Sequence, residues 1–153
     1  MKEYFENNTL TMIVFIFSLL FISFVFIFDI LGFGNIVNNN YNKDELYNLL
    51  TINTIFSGFL YTMLGNLVEF TSRKELKIKD AAGYIDKYYS PVYFGLAYFV
   101  LAILIEVSIL FFGFNLFIGY LIFLQKSLSF FGVVYFVIST IMLRKMIIQI
   151  RNK

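Results

Sequence analysis

The chain has 153 residues, of which 59% are hydrophobic and only 14% charged. Soluble domains are about half apolar and about a quarter charged, and a core this small could not keep so much Phe, Leu and Ile from water. With no Cys and no His, the sequence excludes disulfides, thiol nucleophiles, imidazole catalysis and iron–sulfur ligation, and a net charge of +2 gives no footprint for nucleic acid.

A bilayer accommodates what a soluble core cannot. The 21 Phe suit a lipid face and the 11 Tyr the interface. Richness in Ile, Asn, Lys and Phe points to an AT-rich bacterial genome. The fold expected is all-α: a polytopic membrane protein with four transmembrane helices in a single membrane domain.

The first span is expected at about 9–31. From Thr9 to Phe28 there is no charge, and this uncharged run covers roughly 30 Å as a helix, one hydrocarbon core. It is apolar all round, as lipid or packed protein requires. Glu3 and Glu6 beside Lys2, the length of the run and the lack of a small-residue cleavage site argue against a cleaved signal peptide. Asp29 at its end reads as an interfacial charge. The Asn-rich stretch 34–45 reads as an exposed loop whose Lys-Asp-Glu end starts the next helix.

The second span, about 46–70, is the least apolar of the four. Asn48, Thr51, Gly58, Thr62, Gly65 and Glu69 recur at helical spacing and share one face. Small residues let helices approach closely in lipid, so this stripe is a candidate helix-packing face or, with Glu69 at its cytoplasmic mouth, the lining of a pore. Leu60 lies on another face, where a bulkier side chain is expected to be milder. Residues 71–90 form a charged, Tyr-rich loop that reads as a contact for anionic lipid or as a docking surface for a cytoplasmic protein.

Ser90-Pro91 reads as an N-cap followed by proline at the first helical position. It opens a third span, about 91–113, with a turn at Gly113-Phe114-Asn115. Glu106 lies within this span. An intramembrane carboxylate is costly and is paired, protonated or facing water. Glu106 is thus a candidate proton or cation site; its alternatives are a structural pair with Lys126 and a carboxyl kept neutral. The fourth span is placed at about 126–145 because Gln125-Lys126-Ser127 interrupts the apolar run. Residues 114–125 then form an interfacial or re-entrant connection, and one long tilted helix from 116 is the alternative.

In a four-span chain, ten of the twelve Lys and Arg fall on one side, with only Lys43 and Lys126 on the other. The positive side stays cytoplasmic, so the expected location is a bacterial inner membrane with both termini inside. No enzyme template fits: Ser–His and Cys–His pairs cannot form, and Gly32-Phe33-Gly34 and Ala82-Gly83 match no phosphate loop. Neither cofactor nor bound metal is expected; an oxygen-only site would favour Mg²⁺ or Ca²⁺ over zinc.

Four spans, a polar second helix (TIFSGFLYTMLGNLVEF) and a basic, Tyr-rich inner loop (GYIDKYYSPVYFGL) resemble the small four-span membrane subunits of bacterial anti-phage systems of the Kiwa type. That resemblance implies a homo-oligomer working with a cytoplasmic partner. Small multidrug exporters also have four spans and a membrane Glu, but theirs lies in the first span of a shorter chain. The function expected is therefore a non-enzymatic oligomeric membrane subunit, a sensor or effector. The alternative is a small proton-coupled transporter or cation channel using Glu106, and a phage-type lysis pore is a third class.

Overall fold

A computed structural model describes residues 8–34, 42–72, 85–113 and 117–151, with side chains up to Ile148. Among the described residues there are four helices: α1 (Thr9–Ile30), α2 (Lys43–Thr71), α3 (Asp86–Phe112) and α4 (Ile118–Arg151). The chain is an all-α, multi-pass membrane protein. Three of the described helices, α1, α3 and α4, are long and apolar enough to cross a bilayer; α2 is long enough, at 29 residues, but its polar residues lower its hydropathy.

Local signals set several of the boundaries. The Asn42 side chain accepts a hydrogen bond from the Asp44 N–H at 3.0 Å, and Asp44 and Glu45 occupy the first turn of α2, where the helix dipole favours negative charge. Gly113 ends α3 in the left-handed region, φ 56°, and its N–H returns to the Ile109 carbonyl. Glycine adopts that backbone without a Cβ penalty.

Two boundaries differ from the sequence reading. The third helix begins at Asp86, not at Pro91. Pro91 lies past the first turn and so costs the helix one intrahelical bond, and Ser90, Pro91 and Val92 are buried. The fourth helix is one continuous 34-residue element from Ile118, so the single long helix replaces the 126–145 span with a separate connection. Gln125-Lys126-Ser127 does not break it. Gln125 and Ser127 turn inward while Lys126 turns out, so the three polar residues divide between two faces. At about 51 Å, α4 exceeds the hydrocarbon core, and its end carries Arg144 and Lys145, both exposed. The docking loop lies largely outside the described residues, at 73–84.

The helices alternate in direction. Contacts between α3 and α4 pair Gly95 with Tyr135 and Phe99 with Gly132, so these two run antiparallel. α2 runs antiparallel to α3, with Asn53 on Glu106 and Leu60 on Gly95. α1 lies along the α3–α4 pair through Phe15–Phe94, Phe21–Phe131 and Phe26–Tyr120 ring contacts. Two polar clips fasten it: Ser18 Oγ to Tyr98 OH, and Tyr135 OH donating to the Thr11 carbonyl at 3.0 Å. Its other side exposes Leu20, Phe24 and Ile27, a surface suited to lipid.

Close helix approach is centred on Gly95 and Gly132. A Cβ on Gly132 would meet the Phe99 ring at 2.8 Å; one on Gly95 would meet Leu60 Cδ1 at 2.7 Å and Tyr135 Cβ at 3.1 Å. Leu60 is therefore at the centre of packing, where a bulkier side chain is disruptive, contrary to the milder effect expected from sequence. Gly132→Ala should destabilise the bundle by about 1–3 kcal/mol through overpacking, seen as a lower thermal midpoint in detergent. An unchanged midpoint would contradict this packing.

Candidate functional site

α2 buries a heptad row, Leu46, Asn53, Leu60 and Leu67, against α3 and α4. This spacing keeps one face toward a partner helix over many turns. Three members are Leu; Asn53 is the exception, and its position gives it one specific neighbour. Its Nδ2 donates to Glu106 Oε1 at 2.8 Å. From the other side, Gln125 Nε2 on α4 donates to the same oxygen. Gln125 Nε2 also contacts Ser129 Oγ at 3.2 Å, and Ser129 Oγ donates to the Gln125 carbonyl at 3.0 Å.

Glu106, Asn53 and Gln125 are each 0% exposed. Three helices thus converge on one buried carboxylate. Side-chain amides suit this task because each N–H₂ group can donate to the carboxylate while the amide stays neutral. The environment around them is apolar: Leu46, Ile109 and Ile122 form a buried cluster with Ile105 against it. In such surroundings every interaction of the carboxylate is strengthened, and every unsatisfied atom is costly.

The satisfaction is uneven. Glu106 Oε1 receives two donors, while Glu106 Oε2, Asn53 Oδ1 and Gln125 Oε1 are buried without a hydrogen-bond partner.

The residues singled out from sequence do not come together. Glu106 is central to this cluster. Lys126 is not its partner: Lys126 Nζ pairs with Glu45 Oε1 at 2.7 Å, both about half exposed. The helical turn that aims Gln125 inward aims its neighbour outward. The polar stripe of α2, Asn48, Thr51, Gly58, Thr62, Gly65 and Glu69, is exposed throughout. A Cβ on Gly58 or Gly65 would meet nothing within 4 Å. Within one chain the stripe therefore packs against nothing described, and α2 turns its leucine-rich heptad inward and a mixed face out, on which Tyr47, Ile55 and Phe59 are exposed beside the polar and small residues. Thr51 and Thr62 satisfy their hydroxyls on the carbonyls of Tyr47 and Gly58.

Sequence reading missed Asn53, Gln125 and Ser129. The signal for Asn53 was its seven-residue offset from Leu46 and Leu60. For Gln125 it was the offset to Ser129, Gly132 and Ser139, a run of small and polar residues on the buried side of α4. Asp29 is half-buried at the end of α1. Among the described residues, no group of three or more His, Cys, Asp or Glu is placed to hold a metal ion. No protein-family model, curated protein or solved structure matches this chain.

Proposed function

We propose that the chain is a non-enzymatic subunit of a homo-oligomeric assembly in a bacterial cell membrane, acting as a sensor or effector with a cytoplasmic protein. The observation that carries this reading is the outward face of α2. A helix among lipid normally turns apolar residues out, because unsatisfied polar groups in hydrocarbon are costly. α2 exposes apolar side chains such as Ile55 and Phe59, but beside them it also exposes Asn48, Asn66 and Glu69 together with Gly58 and Gly65. A second copy seated on that face would cover the polar groups, and the two glycines would let its backbone come close.

The same geometry supports four crossings. α2 is antiparallel to α3 and shares its depth at Glu106, so it accompanies the three apolar helices through the bilayer. Both termini are then cytoplasmic, and so is the basic loop between α2 and α3, which is the surface offered to a partner. An anti-phage setting draws its support from the resemblance in layout.

A second reading, a small proton-coupled transporter or cation channel, is favoured by one observation: the buried carboxylate of Glu106. Its full burial means that passage would require α2, α3 and α4 to part.

Cross-linking in native membranes tests the assembly. The parent should give discrete multimers, and Gly58→Leu and Gly65→Leu should lose them at matched expression. Because a Cβ at either glycine meets nothing within 4 Å among the described residues, the variant monomers should keep the parent's thermal midpoint. Multimers unchanged in both variants would remove this face as the interface. Topology is checked with reporters: fusions after residues 40 and 115 should read outside, and fusions after 80 and 153 inside. A cytoplasmic signal at residue 40 would overturn the orientation.

A further inference from the structure

We infer that Glu106, Asn53 and Gln125 form a binding site for a single dehydrated alkali cation at the junction of α2, α3 and α4. The inference deepens the cation reading of Glu106 by naming ligand class and ligands, and it requires no transport: occupancy is read in detergent without any flux.

The first argument is charge. Glu106 is fully buried in an apolar setting. An ionised carboxylate there needs a compensating positive charge. Among the described residues no Lys or Arg supplies one. The nearest in sequence to the cluster, Lys126, is committed to Glu45 and half exposed. The amides of Asn53 and Gln125 donate hydrogen bonds but carry no charge. The missing charge is one, so a monovalent ion balances it. A Mg²⁺ or Ca²⁺ ion, the sequence-based preference for an oxygen-only site, would leave one positive charge uncompensated.

The second argument is the count of oxygens. Glu106 Oε2, Asn53 Oδ1 and Gln125 Oε1 all lack a hydrogen-bond partner while buried. Each amide oxygen is held within one amide group's width of a nitrogen that donates to Glu106 Oε1. Both unpartnered amide oxygens therefore lie close to the carboxylate that carries the third. A proton on Oε2 supplies a single donor, which accounts for that oxygen and one amide oxygen, and a water would have to be buried with it to satisfy the other. A metal cation can bind all three. Hard cations take carboxylate and amide carbonyl oxygens as ligands.

The third argument is position. The three ligands come from three different helices, so an ion held there ties α2 and α4 to α3. Binding to the folded chain alone raises its stability with the logarithm of ion concentration once the site begins to fill.

The test uses the full chain in mild detergent. Its thermal midpoint is followed during titration with NaCl or KCl against choline chloride at constant ionic strength, repeated across pH 5.5 to 8.5. Saturable stabilisation by Na⁺ or K⁺ over choline is expected, with Glu106→Gln showing the same midpoint in all three salts. Gln125→Leu keeps the charge but removes one oxygen, and should raise the half-saturating concentration several-fold. This second variant keeps the test decisive if Glu106→Gln cannot be recovered. A parent midpoint identical in alkali and choline salts at every pH overturns the inference. So does a midpoint that follows pH alone, which would mean a proton completes the cluster. So does an alkali response undiminished in Glu106→Gln and Gln125→Leu, which would place the ion elsewhere. A parent that gives no cross-linked multimers, with the alkali response intact, would instead count against the oligomer alone.

Discussion

A carboxylate buried among apolar helices is the constraint to which the rest of this structure answers. Glu106 cannot be left unsolvated, and water is excluded from its surroundings, so the protein supplies the donors itself. Asn53 and Gln125 do so from two different helices. Each donor fixes a register, because sliding α2 or α4 along α3 by one turn, about 5.4 Å, would carry its amide out of hydrogen-bond reach. Leucine rows alone tolerate such slips; a polar pair does not. Thus Leu46, Leu60 and Leu67 supply contact area while Asn53 selects where that area forms. Further along the bundle, Gly95 and Gly132 let Leu60, Phe99 and Tyr135 close the remaining space.

The division of α2 into two faces follows from the same arrangement. With the heptad committed to the interior, the small and polar residues have no place except outside. In a bilayer this leaves polar groups beside the apolar side chains, Ile55 and Phe59 among them, that suit lipid. The threonines adapt by bonding to their own helix, a habit that leaves little polar character showing. Asn48, Asn66 and Glu69 have no such local outlet. This is why the assembly of several chains is an economical completion of the fold: it places polar against polar and brings small residues to a close contact. α1 contrasts with it, since its outward Leu and Phe side chains suit lipid directly.

Much of the architecture was legible because bilayer physics is written in composition. The uncharged run from Thr9, the Gly113 stop and the Lys-Asp-Glu start of α2 all gave usable boundaries. The failures have a common cause, which is that a polar residue in an apolar run has two meanings. Gln125-Lys126-Ser127 was read as an interruption, yet two of these side chains are buried and one reaches the surface, all within an unbroken helix. Pro91 was read as a first helical residue, yet the helix gains a turn before it. Glu106 stands out from sequence as the one acid deep within a span, but its hydrogen-bond partner does not, because an amide on another helix carries no charge to mark it. The outward stripe of α2 was visible as a face; which way the face pointed depended on Asn53 and the leucines opposite it.

The central claim is that Glu106 is held by Asn53 across the α2–α3 contact and not by the nearest cation. Two double-mutant cycles in detergent unfolding address it directly, one pairing Glu106→Ala with Asn53→Ala and one pairing Glu106→Ala with Lys126→Ala. A hydrogen bond to a charged group contributes about 1.5–3 kcal/mol, and membrane cycles run at or below the low end of that range. The Glu106–Asn53 cycle should therefore show a coupling of about 1 kcal/mol or more, and the Glu106–Lys126 cycle additivity within about 0.5 kcal/mol. Additive Glu106 and Asn53 variants, or a coupling that resides with Lys126, would contradict the account.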